Sequence, residues 1–229
     1  MKKIAILQSN YIPWKGYFDL IAAVDEFVLY DDVQFTKNDW RNRNKIKTSH
    51  GLEWLSIPVG HNIHRQIREV TPSNHHWQEK HWKSLCHNYS KAPWFKEISE
   101  IFEPLYLGTV HKNLSQLNRL FIETICGYLG IRTAITNSWD YDFVSGRVER
   151  LIRICHQAGA TDYISGPTAQ NYIDEASFSN EGIGLTWFNY GDYPVYPQSR
   201  GTFEHQVSII DLLFNCGPDS AKYMKNTQK

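Results

Sequence analysis

The segment from Ile4 to Tyr30 restricts the fold more than any other stretch of the chain. Ile4 to Gln8 is a short apolar run, partly β-branched and bounded by polar residues, which is the pattern of a buried strand. Pro13 and Gly16 mark a turn, Tyr17 to Ala23 reads as a helix, and Phe27 to Tyr30 reads as a second strand. Strand, turn, helix and strand within about thirty residues make a βαβ crossover, so the two strands should be parallel.

The rest of the chain continues the alternation. Thr133 to Thr136, Asp162 to Ser165 and Gly184 to Tyr190 read as strands. Leu114 to Leu129 is the clearest helix: Leu114, Leu117, Leu120, Phe121, Ile125 and Leu129 recur at helical spacing, and Gly130 follows as a stop. Arg147 to Ala158 and Val207 to Phe214 read as further helices, and Trp77 to Leu107 as helical throughout. Gly51 to Pro58 reads as a hairpin arm, with Trp54 to Val59 extended. The expectation is an α/β fold: a doubly wound, mostly parallel, Rossmann-like sheet within a single domain over residues 1–229. Residues 77–129 would form an inserted or flanking helical layer.

Charge narrows the partners. The chain carries 24 basic and 24 acidic residues, which argues against a dedicated duplex-DNA binder. A charged tRNA is the one nucleic-acid partner that remains open. No apolar run is long enough to span a bilayer, and the apolar stretch after Met1 is too short for a signal peptide, so a cytoplasmic chain is expected. Cys86, Cys126, Cys155 and Cys216 are widely spaced and read as free thiols. His75, His76, His81 and His87 cluster without metal-ligand spacing, so no metal is assigned.

In open α/β sheets ligands bind beyond the carboxyl ends of the strands. Three polar segments occupy such positions: Gln8-Ser9-Asn10-Tyr11, Asp31-Asp32-Val33-Gln34-Phe35, and Ser165-Gly166-Pro167-Thr168-Ala169-Gln170. The helix N-terminus near Gly16 stands behind the first and is suited to anions. Arg41, Arg43 and Lys45 alternate. In an extended strand they would share one face, either as an anion clamp or as a charged edge that resists aggregation.

The motif order then becomes familiar. Gln8 through Ile21, Asp31-Asp32-Val33-Gln34-Phe35, Asn38 with Trp40-Arg41-Asn42-Arg43, His81-Trp82, Lys91-Ala92-Pro93 and Tyr163 through Pro167 resemble the WbqC-like family over nearly the whole chain. That resemblance implies a place in bacterial O-antigen or other surface-polysaccharide synthesis, modifying amino sugars by glycyl or another acyl transfer. A more distant likeness is to nucleotidylyltransferases and pantothenate synthetases, through Pro13-Trp14-Lys15-Gly16-Tyr17 and Gln34-Phe35. It implies carboxylate activation with ATP and magnesium. Trp14 and Tyr17, however, stand at that family's two histidine positions.

The two resemblances together suggest roles. The substrates would be a nucleotide-sugar and an acyl donor. Gln8, Asn10, Tyr11, Trp14, Gly16 and Tyr17 would shape the pocket, with Tyr17 as a neutral donor to charge formed in catalysis. Gln34 would hold a carboxylate or sugar hydroxyl, and Asn38 would contact the substrate. Arg41, Arg43, Lys80 and Lys83 would face phosphates, and Ser165, Gly166 and Gln170 would close the far wall. His81 would deprotonate the attacking amine, with Tyr89 as an outside candidate. The other reading is a non-catalytic binding or scaffold protein of the same pathway.

Overall fold

In the computed structural model, which describes residues 1–199 and 201–227, the opening crossover forms as the residue pattern requires. β1 is Lys3–Leu7, α1 is Lys15–Ala22 and β2 is Glu26–Leu29. The two strands run parallel, from Ile4 beside Glu26 to Leu7 beside Leu29. Three more strands join the sheet: β5 (Ala134–Asn137), β6 (Asp162–Ser165) and β7 (Gly184–Trp187). The order is β5-β2-β1-β6-β7, with every pairing parallel. The fold is therefore α/β, built on an open parallel sheet.

That order positions the site. The chain builds outward from β1 to β2 to β5, then crosses back to lay β6 against the other side of β1. Connections diverge between β1 and β6, and a crevice opens at their carboxyl ends. Right-handed crossovers in opposite directions also send the helices to opposite faces. Ala5, Phe27 and Leu29 point into the larger core, with Phe18 of α1, Phe121 of α4 (Leu114–Leu129) and Phe214 of α7 (Ile209–Cys216). Ile4, Ile6, Val28 and Tyr163 point the other way, onto Leu151 and Ile154 of α5 (Arg147–Gln157) and Phe178 of α6 (Glu175–Ser179). The period-two alternation of each strand divides the two cores.

Several stretches differ from expectation, among them β7, which ends at Trp187 rather than Tyr190. The helical run from Trp77 to Leu107 is two helices, α2 (His76–Tyr89) and α3 (Phe95–Leu107). Pro93 has no N–H to donate and restricts Ala92, so the chain breaks there. The freed Trp94 amide donates to the Phe214 carbonyl at 3.1 Å, tying the break to α7. The basic segment forms β3 (Arg43–Thr48), antiparallel to β4 (Gly51–Ser56) in a separate two-stranded sheet. The extended arm therefore starts earlier than Trp54, and Arg41 lies outside the strand and does not share a face with Arg43 and Lys45. The last helix begins at Ile209 rather than Val207, with the Ser208 hydroxyl as its N-cap. Gly130 closes α4 at φ +70°, a conformation that suits glycine. No helix of the described residues is long and apolar enough to cross a membrane.

Candidate functional site

Beyond Leu7 the chain is held by a buried polar network. The Ser9 amide donates to the Asp31 carboxylate at 2.8 Å, and the Ser115 hydroxyl donates to its other oxygen at 2.5 Å. Asn118 of α4 donates to the Ser9 hydroxyl and to the Arg41 carbonyl, at 3.0 and 2.9 Å. Burial raises the Asp31 carboxyl above its usual range, and the hydrogen bonds from Ser115 and Ser9 oppose that rise. This network joins the ends of β1 and β2 to the segment that carries Arg41.

Arg41 is the fixed cation of the rim. Its Nη1 donates to the Asn10 side-chain oxygen at 3.0 Å and its Nη2 to the Gln8 side-chain oxygen at 2.9 Å. Its Nε finds no acceptor among the described residues. Two amide oxygens hold the guanidinium plane in place before any ligand arrives, so little rotamer entropy remains to be lost on binding an anion.

Next to this group lies a cavity of ≈ 540 Å³, walled by Asn10, Trp14, Trp40, Tyr190, Tyr193 and His205, among others. Trp14 meets Tyr190 and Tyr193 with ring centroids 5.5 and 5.6 Å apart. The segment after β7 supplies the far wall, and α1 fastens it. The Tyr193 hydroxyl donates to Asp19 at 2.7 Å, and Lys15 Nζ donates to the Pro194 carbonyl at 2.8 Å. Burial pushes the Lys15 ammonium down to about 8. Partial burial, with the Lys15 charge nearby, lowers His205 below the ordinary histidine value. His205 therefore presents a neutral imidazole to the cavity near pH 7.

The same geometry tests the ATP expectation. A Cβ at Gly16 would lie 2.3 Å from the Trp14 ring, so the indole rests on the first turn of α1. It fills the space through which phosphates would approach the helix N-terminus. The turn therefore presents an indole where the nucleotidylyltransferase likeness implies histidines and phosphates.

Of the residues named from sequence, Gln8, Asn10, Trp14, Gly16 and Arg41 meet at the rim. Gly166 lies next to them: a Cβ there would meet the Tyr190 ring at 3.6 Å, ordinary contact distance. Others are buried in roles of their own. Tyr17 is 2% exposed and its hydroxyl donates to the Gln8 carbonyl at 3.0 Å, so it positions the β1 end and has no open face toward a ligand. His81 is 3% exposed. Its Nδ1 lies 2.9 Å from the Tyr11 hydroxyl, which in turn lies 2.7 Å from the Tyr106 hydroxyl. Burial pushes His81 down to about 4, against a hydrogen bond with the Ser56 backbone. Enclosed in this way, it has no route to an attacking amine. Tyr89 is buried with its hydroxyl on Asp211 at 2.8 Å. Ser165 is buried and donates to the Tyr163 hydroxyl at 3.2 Å.

The rest stand apart from the cavity. Lys80 and Lys83 lie on the exposed side of α2, and Lys83 pairs with Glu79 at 2.5 Å. Gln34 is exposed and bridges to Gln66. Asn38 adopts φ +59° and its carbonyl accepts from Arg43. The Arg43 guanidinium lies 4.1 Å from the Trp54 ring centre. Gln170 is exposed on a short 3₁₀ turn. Reading by sequence missed Trp40, Asn44, Tyr190, Tyr193 and His205 as cavity residues. The signal for Tyr190 and Tyr193 was present: β7 is also a parallel strand, and the aromatic segment at its carboxyl end obeys the same rule as the other three.

With the geometry in hand, comparison adds a relationship. The family model described as the WbqC-like protein family matches residues 8–223. A Mycobacterium tuberculosis protein named "Uncharacterized protein Rv1507c" is 53% identical over 227 residues, covering 98% of both chains. No solved structure matches.

Proposed function

The chain belongs to the WbqC-like protein family, and from that premise we propose that it is an acyltransferase of bacterial surface-polysaccharide synthesis. It attaches glycine or another acyl group to the amine of a nucleotide-linked amino sugar. Family membership suggests the pathway. One observation carries the reaction class: an aromatic-walled cavity and a preorganised arginine meet at the carboxyl ends of the strands, with a neutral histidine on the wall.

The cavity volume of ≈ 540 Å³ falls in the range that holds a small ligand. The faces of Trp14, Tyr190 and Trp40 take the base and sugar rings, and Arg41 takes the phosphate charge. His205 accepts the amine proton as the nitrogen attacks the acyl carbonyl. The new C–N bond forms, the bond from the carbonyl carbon to the donor's leaving group breaks, and the leaving group departs with the electron pair and a proton returned by His205. The Trp14 indole packed on the first turn of α1 supports a donor activated beforehand, as an acyl thioester or a charged tRNA, over an ATP-dependent ligase.

The test is incubation with uridine- and thymidine-linked amino sugars and glycyl or acyl donors, with mass spectrometry of the products. An N-acylated nucleotide-sugar, lost in His205→Gln, is the expected result. Tight binding of the nucleotide-sugar with no product from any donor would instead support a scaffold, a reading favoured by the aromatic residues at the two histidine positions.

A further inference from the structure

A second cationic cluster lies on the opposite face of the same sheet edge. Arg150 of α5 is 4% exposed, and its Nη2 is paired with the Asp32 carboxylate. Asp32 also accepts from the Ser138 hydroxyl at 2.6 Å. Yet Nε and Nη1 of Arg150 are buried and find no acceptor among the described residues. A buried donor left without a partner is costly, and more so when charged.

What covers it is not core. The Phe143 ring lies 4.4 Å from the Arg150 guanidinium, while the residue itself is 73% exposed. Its segment ends at Gly146, φ +97°, directly before α5. An exposed phenyl ring resting on a half-satisfied buried arginine is a cover that can swing away at little loss of apolar burial. Beneath it the Tyr30 ring lies 5.6 Å from Arg150, and the Arg147 guanidinium lies 3.2 Å from the Tyr172 ring centre. Glu149 folds back over Gly146 instead of entering the cluster.

We propose that this cluster is a binding site for one carboxylate, anchored by the unpaired N–H groups of Arg150 and closed by Phe143. Arg147, Arg150 and Asp32 leave one net positive charge, which matches a monoanion; a phosphate dianion would leave a charge unmatched. The aromatic faces suit the apolar body that carries the carboxylate. Two sources carry this chemistry, an acyl compound and a sugar acid. The site is built from residues other than those of the cavity, so it stands or falls separately from the acyltransfer reading.

The experiment is calorimetric titration of the full chain, at constant ionic strength, with N-acetylglycine, glucuronate and inorganic phosphate. A carboxylate should bind saturably and phosphate should not, and which carboxylate binds identifies the source. Phe143→Ala, which removes the cover, should bind roughly threefold tighter, because no closed state must first open. Phe143→Asp supplies a carboxylate from the chain itself and should abolish binding, with its thermal midpoint raised rather than lowered, because the position is exposed and the new carboxylate satisfies Arg150. The charge-neutral pair Asp32→Asn with Arg150→Gln should weaken binding roughly tenfold or more; if that pair does not fold, Phe143→Asp decides alone. Absence of carboxylate binding in both the natural chain and Phe143→Ala, preference for phosphate, or full affinity in Phe143→Asp would each overturn the proposal.

Discussion

His81 and His205 share a direction of perturbation and little else. Burial lowers both below the ordinary histidine value. His81 is enclosed among Tyr11, Tyr106, Trp77 and the Ser56 backbone, 3% exposed, with its ring committed to the chain. His205 is exposed on the wall of a cavity that also includes Asn10, a residue that holds Arg41. A neutral imidazole is necessary for a general base, but access decides whether it can serve as one. The sequence motif around His81 marks a packing node, and the proposed base lies instead on the segment after β7.

The sharpest separation is in turnover. His205→Gln should lower acyl transfer by about 10²–10⁴, the usual contribution of general-base catalysis, while nucleotide-sugar binding and the thermal midpoint stay put. A variant with full activity would remove His205 from the mechanism. His81→Ala should do the reverse. Losing the ring leaves a cavity and strands the Tyr11 hydroxyl and the Ser56 backbone group, at about 3–5 kcal/mol of stability, with kcat per folded molecule unchanged. Chemical denaturation read beside the transfer assay checks both halves; a stable but inactive His81 variant would reverse the comparison.

Acid should expose the same contrast. The folded His81 holds at about 4, against 6.5 as the ordinary value. Between these values the unfolded chain binds a proton that the folded chain refuses. Stability from His81 is therefore full above pH 6.5 and is lost as pH falls toward about 4, by about 3 kcal/mol in total. Buried Asp31 and Asp211, raised by burial, act in the opposite sense over this range, so the measurement is the difference between the natural chain and His81→Gln. Parallel profiles would place His81 in contact with solvent. For His205 the acid limb of kcat/KM should fall below pH 6.5, leaving a plateau at neutral pH; a limb above that value would assign the base elsewhere. The smallest effect belongs to Arg41→Lys, which keeps the charge and loses the two-point hold of Gln8 and Asn10. It should weaken nucleotide-sugar binding by about tenfold, read by titration, with little change in kcat.

Much of the framework was legible because it is local. The apolar run at Ile4, the turn at Pro13 and Gly16, and the helical repeat from Leu114 to Gly130 each specify their own element. The carboxyl-end rule then picked out Gln8, Asn10 and Gly166 without a structure. What the sequence did not carry was the pairing between distant segments. Lys15 reaching Pro194 and Tyr193 reaching Asp19 are contacts across more than 170 positions, and they fasten Tyr193 and Pro194 to α1 at the cavity. Arg41 looked like a partner of Arg43 by alternation, but the turn before β3 sends it to the β1 end instead. His81 and Tyr17 looked chemical by residue type. Only packing shows that their polar atoms are already satisfied.

On the proposed reading, substrate binds in the cavity that joins the β1–α1 turn to the segment after β7. Thermal unfolding of the natural chain and of Tyr190→Ala, each with a uridine- or thymidine-linked amino sugar, tests it directly. At about one hundred times its dissociation constant the ligand should stabilise the natural chain by about 2.7 kcal/mol, and Tyr190→Ala should lose most of that gain. An equal gain in both proteins, or a gain only with ATP and magnesium, would contradict it.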